Sequence, residues 1–489
     1  MVQLVETKGF VAALALLGLS CRPDVPPPGL TLATCVVEGL GRPAQCGFLE
    51  VAEDRKAPLG RKVALRVVKL PAERPSEHAP LFMLAGGPGQ AASEAYPPMV
   101  PIFDDLIRDR DVIWVDQRGT GQSSPLDCET PDELVDHYAP DGLREVAARC
   151  AEALKTRPDA PDPRHYGTAE AVEDLDAVRL ALGYDRVDLL GGSYGTRLAL
   201  AYAEAHPEAT RSLVLDGVAP RALKIPLPMA ADAEKSFAAI AKRCQEDAGC
   251  RQAFADPRAD LEAVLARLAQ DPRVTVTHPR RGGRVSFDLP RDGFTQALRG
   301  LLYSAELSSL LPLALADARR GAFDGFVAQT SYFGSAMDGQ ISMGLFLSVV
   351  CSEDVARISD EEVAAQTADT VIGAVMVRDF RAACAAWPAP KTPHGLERPV
   401  AVATPTLALS GELDPATPPR WAEAALEPLT GPKKHVVVPG AGHGTMVRSC
   451  VPELVAKFLD APERVASLDT DCLSDVFPSF FIDRAGPAQ

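Results

Sequence analysis

Short apolar runs recur in the first half of the chain and again near its end, each closed by a glycine-rich or acidic turn. Val63–Lys69 alternates apolar and polar side chains, the period of a strand with one buried face. Leu81–Leu84, Val112–Val115, Val187–Leu190, Ser212–Leu215, Pro405–Ser410 and His435–Val438 read as short buried strands. The period becomes helical at Thr168–Leu182, with Thr168 as its cap, and at Arg197–Ala205. Strands alternating with such helices predict a mostly parallel sheet with helices on both faces. From Arg221 to about Pro399 the rhythm stops. That stretch is mainly helical in pattern, as in Leu261–Leu268 and Phe294–Ala318, with a polar hairpin segment near Arg280–Phe287. It reads as a large cap inserted into an α/β core.

Candidate chemistry sits at the ends of the strands. Gly191-Gly192-Ser193-Tyr194-Gly195 joins a buried run to a helix, the setting in which a tight turn exposes a nucleophilic serine. Gly86-Gly87-Pro88-Gly89 follows an earlier strand and brings backbone close to a ligand. The amides of Gly87 and Tyr194 are the expected donors to an oxyanion. Asp116 and Arg118 follow Val112–Val115 and read as an ion pair that braces the loop. Gly411-Glu412-Leu413-Asp414-Pro415 places a carboxylate just past a strand, with Asp414 the expected acid and Glu412 its rival. His443 lies in the glycine loop Gly440–Gly444 and is the expected base. The order Ser193, Asp414, His443 is that of serine hydrolases built on a strand–turn–helix nucleophile.

Composition narrows the partners. The chain has 489 residues and a formal net charge of −16, which argues against nucleic acid or an anionic membrane surface. Phe10–Leu19 has the length of a signal-peptide core, and no later apolar run could span a membrane. There are 11 cysteines. Leu17-Gly18-Leu19-Ser20-Cys21 resembles a lipobox, which would put a lipid on Cys21; ordinary cleavage after Ser20 is the alternative. The proline cluster behind Cys21 would act as a stiff tether. The remaining cysteines are even in number, as in an exported, disulfide-bonded protein. Pairing neighbours gives Cys35–Cys46, Cys128–Cys150, Cys244–Cys250, Cys351–Cys384 and Cys450–Cys472, although sequence does not fix connectivity. No C-x-x-C occurs, so zinc and thioredoxin-like readings lack support.

Taken with Asp116–Gly121, Gly191–Thr196 and Gly411–Pro418, the motifs resemble those of the serine exopeptidases of the prolyl iminopeptidase and tripeptidyl aminopeptidase group. The likeness runs from about 55 to 470 and is greatest to the secreted tripeptidyl-aminopeptidase-like branch. Ala85 departs from the histidine that often precedes Gly-Gly-Pro-Gly. The resemblance implies an α/β-hydrolase fold, an acyl-enzyme mechanism without metal or cofactor, and removal of N-terminal residues from peptides. The organisation it suggests is a signal peptide (1–20), an N-terminal tether and extension (21–54), core (55–220), cap or lid (221–399), core again (400–472) and a C-terminal tail (473–489). The protein would be secreted, periplasmic or a cell-envelope lipoprotein, reaching the membrane only through a lipid on Cys21. Esterase or lipase chemistry on the same triad is the alternative; a hydrolase-like binding protein without turnover is a more distant one. An exopeptidase needs a carboxylate for the substrate ammonium. Glu353 is the first expectation, because it follows an apolar run and adjoins Cys351; Asp354 and Glu306 are alternates. The number of residues removed, the side-chain preference and the oligomeric state stay open.

Overall fold

A computed structural model describes residues 29–482 apart from 75–76, 129–133, 136–137, 140–141 and 338. The segment that reads from sequence as a signal peptide and Cys21 lie outside the described residues, as do 483–489. The strands are β1 Ala33–Cys35, β2 Ala44–Ala52, β3 Lys62–Leu70, β4 Leu81–Leu84, β5 Val112–Val115, β6 Val187–Gly192, β7 Thr210–Asp216, β8 Arg273–Thr277, β9 Arg284–Asp288, β10 Thr406–Gly411 and β11 Lys433–Val438. The helices of eight or more residues are α1 Gly142–Thr156, α2 Thr168–Ala181, α3 Tyr194–Ala205, α4 Met229–Glu246, α5 Pro257–Gln270, α6 Arg291–Leu301, α7 Ala305–Arg319, α8 Asp324–Met337, α9 Met343–Glu353, α10 Asp360–Thr367, α11 Val375–Ala386, α12 Pro419–Leu426 and α13 Val451–Asp460.

Nine strands form one sheet in the order β1-β2-β3-β5-β4-β6-β7-β10-β11. β1, β2 and β3 run antiparallel, β3 pairs antiparallel with β5, and the strands from β5 to β11 in that order are parallel. The stretch that reads from sequence as a tether and extension therefore contributes β1 and β2 to the sheet. Alternate side chains feed two cores, as strand geometry requires. Phe82, Leu84, Ile113 and Val115 pack with α1, α2 and α3. Leu81, Met83, Val112 and Trp114 pack with α13 on the other face.

Between β7 and β10 the chain builds a third core around Phe294, Leu298, Leu311, Leu315 and Phe326, with Phe287 of the β8–β9 hairpin. The continuous helical pattern from Phe294 to Ala318 is broken in two. Ser304 caps α7, its hydroxyl accepting from the Leu307 amide at 3.2 Å, so Leu302 and Tyr303 turn out of the helix. Not all of this insertion stands over the sheet. Leu345, Leu347 and Val349 of α9 and Ala383 of α11 join the core that holds α1 and α2. Five disulfides, Cys35–Cys46, Cys128–Cys150, Cys244–Cys250, Cys351–Cys384 and Cys450–Cys472, each join one cysteine to the next cysteine along the chain. They mark a protein that matures outside the reducing cytoplasm.

Candidate active site

Ser193 stands between β6 and α3 with φ 54° and ψ −121°, a left-handed conformation that costs a non-glycine residue energy. Two glycines of the motif make the turn sterically feasible. A Cβ on Gly191 would overlap the Gly195 carbonyl, and one on Gly195 would overlap the Leu84 carbonyl. The Ser193 amide donates to the Asp216 carbonyl at 2.8 Å, and the Thr196 hydroxyl donates to the Ser193 carbonyl at 2.6 Å. The loop after β4 lies directly against the serine: a Cβ on Gly86 would come within 3.0 Å of Ser193 Cβ. Gly87 has φ +102°. Neither its amide nor that of Tyr194, at the start of α3, donates a hydrogen bond among the described residues. Both are therefore open to a developing negative oxygen beside Ser193.

Asp414 is buried past β10. Its Oδ1 accepts from the amides of Ala416 (2.7 Å) and Thr417 (2.9 Å), and its Oδ2 accepts from the Thr417 hydroxyl at 2.8 Å. His443 Nδ1 lies 2.8 Å from the same Oδ2. Burial would lift the Asp414 carboxyl, but the imidazole and these donors hold it below its ordinary range. Burial would lower His443, yet the Asp414 carboxylate outweighs it and the net shift is upward. The His443 amide donates to the Tyr303 carbonyl at 2.8 Å, and the Tyr303 ring stands edge-on to the imidazole, centroids 5.1 Å apart. Asp216 ties the base to the serine turn. Its carboxylate accepts from the amides of Thr445 and Met446 and from the Thr445 hydroxyl, while its carbonyl holds Ser193. A Cβ on the next residue, Gly217, would sit 3.1 Å from His443 Cε1.

Several expectations need correction. Asp116 and Arg118 do not pair with each other. Asp116 accepts from the Ser93 amide and hydroxyl and the Gln122 amide. Arg118 instead clamps both oxygens of Asp174 on α2 and the carbonyls of Glu53 and His165. Thr168 is the first residue of α2 rather than its cap. Glu353 takes that part, its carboxylate accepting from the Thr168 amide and hydroxyl, both at 2.8 Å. Asp354 is likewise committed, both its oxygens accepting from Arg197 Nη1, at 3.0 and 3.1 Å. Burial raises both carboxyls, against the pull of Arg197. The physical reason is the packing of α9: its apolar run faces the sheet-flanking core, so the carboxylates that follow it are carried inward. Glu306 is exposed, two residues past the Ser304 cap, and paired with Arg448 at 2.6 Å. Glu412 does not approach the His443 ring. Its Oε2 accepts from the Gly440 amide at 2.8 Å and from Arg243 at 2.6 Å, bracing the base loop from outside.

Three residues that touch the site escape sequence reasoning. Thr417 could have been suspected from the Asp-x-x-Thr spacing, which returns a hydroxyl to the carboxylate. Asp216 ends a strand beside the serine turn and carries that positional signal only. Nothing in the sequence marks Tyr303. Among the described residues no group of three or more His, Cys, Asp or Glu side chains has the spacing to hold a metal ion.

The chain is similar in sequence to several known proteins. Serine protease Hip1 of Mycobacterium tuberculosis is 28% identical over 454 residues, covering 85% of each chain. Tripeptidyl aminopeptidase of Streptomyces lividans is 30% identical over 207 residues, 39% of this chain and 38% of that one. A protein named carboxylesterase B from M. tuberculosis is 29% identical over 414 residues, 77% of this chain and 76% of its own. The family description "alpha/beta hydrolase fold" matches residues 79–447, from the strand before the Gly86–Gly89 loop to just past His443. With that span matched around a strained serine turn, the chain belongs to the alpha/beta hydrolase fold family, as a serine hydrolase.

Proposed function

We propose that the protein is a serine exopeptidase that releases N-terminal residues, one or three at a time, from peptides. The observation that carries the reading is the Asp414–His443 contact of 2.8 Å, braced by Thr417 and set beside the strained Ser193 turn. In this mechanism His443 takes the Ser193 proton as the hydroxyl attacks the scissile carbonyl. Asp414 holds the Nδ1 proton and stabilises the imidazolium. The Gly87 and Tyr194 amides receive the oxyanion. His443 then protonates the leaving amine, and water resolves the acyl-enzyme by the reverse path.

The names of the protease relatives support peptides as substrates. The insertion, 221–399, serves as the lid, a role supported by Tyr303 against His443. Of the three carboxylates considered for the substrate ammonium, Glu306 alone is free of the interior, and an ammonium there would compete with Arg448. Export is supported by the five disulfides; lipidation rests on the Leu17–Cys21 run and is read by the mass of the mature N-terminus.

The test is a peptide library offered with free and with acetylated N-termini, its products identified by mass. Free peptides should lose N-terminal fragments and acetylated ones should resist. Equal cleavage of both would remove the exopeptidase reading. The carboxylesterase B relative favours ester hydrolysis as the second reading, and ester turnover without peptide turnover would establish it.

A further inference from the structure

Arg299 is a cation beside the proposed base that, among the described residues, has no carboxylate to neutralise it. It lies in the last turn of α6, four residues before Tyr303. Its guanidinium is 5.1 Å from the Tyr303 ring centroid, and its Nη2 donates to the Tyr303 hydroxyl at 2.8 Å. The Tyr303 ring in turn stands edge-on to the His443 imidazole. The Arg299 Nε–H is buried and finds no acceptor. Among the described residues the guanidinium makes no ion pair; the phenol and the ring face are its only recorded partners. Other arginines near the site differ: Arg118 has Asp174, Arg197 has Asp354, and Arg448 has Glu306. A helix-end cation that only complements the dipole can sit in water with every N–H solvated. Withdrawing an N–H from water without an acceptor costs stability, so such a group calls for an explanation; the Nε of Arg197 is also unpartnered, but that guanidinium is already neutralised by Asp354, whereas Arg299 has no such pair.

The geometry points to Arg299 as the residue that binds a carboxylate on the leaving fragment of the substrate. This rests on the hydrolase mechanism proposed above. His443 gives its proton to the departing group, so that group must lie beside the imidazole, against which the Tyr303 ring stands. For a short peptide the departing fragment carries its own α-carboxylate; for a longer one, an acidic side chain just past the scissile bond would serve. A guanidinium meets a carboxylate through two parallel N–H bonds, and Nε–H with one Nη–H is such a pair. The sign of the charge also sorts substrate direction. A cation on the leaving side repels a terminal ammonium, which is left to the acyl side, as an aminopeptidase needs. The same guanidinium opposes protonation of His443, which fits its nearness to the ring.

Two pairs of substrates test this. Peptidyl anilides of 4-aminobenzoate and of 4-aminobenzamide differ only in a carboxylate on the leaving group, as do the acetyl esters of 4-hydroxybenzoate and 4-hydroxybenzamide. The wild-type enzyme should favour the carboxylate member in kcat/KM by about 10- to 100-fold, the range of one charge-assisted contact. Arg299→Gln should bring that ratio close to one, and Arg299→Lys should keep part of it. A wild-type ratio near one, or a preference that survives Arg299→Gln, overturns the inference. Should the Gln variant fail to fold, the wild-type ratio and the Lys variant decide. If anilides resist while esters are cleaved, the peptidase reading fails, yet the ester ratio still rules on Arg299.

Discussion

Replacing Asp414 by Asn tests the proposed triad with little change of shape. The Asp414 carboxylate accepts four hydrogen bonds, two amides on Oδ1 and the Thr417 hydroxyl with His443 on Oδ2. An asparagine must give one side to an NH2 group. The two backbone amides can only donate, so they claim the remaining oxygen, and the NH2 turns toward His443. The imidazole must then accept at Nδ1 and carry its proton on Nε2, the nitrogen that should receive the Ser193 proton. This is the wrong tautomer for a base, and in serine proteases the same exchange costs on the order of 10⁴ in kcat. That loss is about 5.5 kcal/mol of transition-state stabilisation. The fold should survive, since all four contacts can keep their partners, the two on the former Oδ2 side with donor and acceptor exchanged. A second readout separates this from general damage. The Asp414 charge is what raises His443 against burial, so in the variant the residual activity should reach half its maximum at a lower pH than in the wild type. The assay is a pH profile of kcat/KM on one chromogenic substrate, with Glu412→Gln in parallel. A loss under tenfold with an unmoved midpoint would remove Asp414 from the mechanism. A 10⁴ loss in Glu412→Gln alone would hand the role to Glu412.

In the wild type, His443 must be neutral to act as base, and its value is raised from the ordinary 6.5. Activity should therefore fall as pH drops through that raised value, whereas a half-point at or below 6.5 would contradict the Asp414 pairing. Stability should respond in the opposite sense: the raised imidazole adds stability below the ordinary histidine value and loses it as pH rises through the shifted one, as denaturant midpoints can record. Ser193→Ala should lower turnover on the order of 10⁶-fold with the fold intact, and near-normal activity would end the serine assignment. Arg118→Leu leaves Asp174 buried with Arg55 as its remaining cation and should cost roughly 3–5 kcal/mol of unfolding free energy, a loss under about 1 kcal/mol counting against the clamp. Gly195→Ala drives a methyl into the Leu84 carbonyl and should abolish soluble expression; an active, soluble variant would refute the steric argument.

What the sequence revealed follows from the range of the interactions involved. Val112–Val115 is wholly buried, and a short apolar run is legible because burial on both faces leaves no polar positions. The serine and histidine loops are legible because their close approaches admit only glycine, as at Gly195 and at Gly442, where a Cβ would overlap the Tyr303 carbonyl. Partners distant in the chain are another matter. Arg118 and Asp174 are 56 residues apart, and neither marks the other. Glu353 is hard to place from sequence for the same reason: the run Met343 to Val350 before it reads as apolar whether α9 faces a cleft or a core. Only the contact of Leu345, Leu347 and Val349 with the sheet-flanking core decides it. The break at Ser304 was hidden because serine is common inside helical patterns, and its capping role depends on which way the chain leaves.

The insertion is built into the site rather than laid over it. Ser193 is held within the α/β core, through the Asp216 carbonyl, the Thr196 hydroxyl and the glycines beneath it. The other two loops are also held by the insertion. The Tyr303 carbonyl fixes the His443 amide, and the hydroxyl of Ser236 on α4 donates to the carbonyl of Leu413, the residue before Asp414. Leu413 itself packs in the insertion's own core. Arg243, also on α4, reaches Glu412 beside the acid and Asp475 of the C-terminal segment, while Glu412 holds the Gly440 amide of the base loop. Asp475 and Val476 follow closely on Cys472, which is bonded to Cys450 just after the base loop, and the Val476 amide donates to the Pro439 carbonyl. A displacement of α4 or of the Tyr303 turn would therefore pull on the acid and base together while leaving the nucleophile in place.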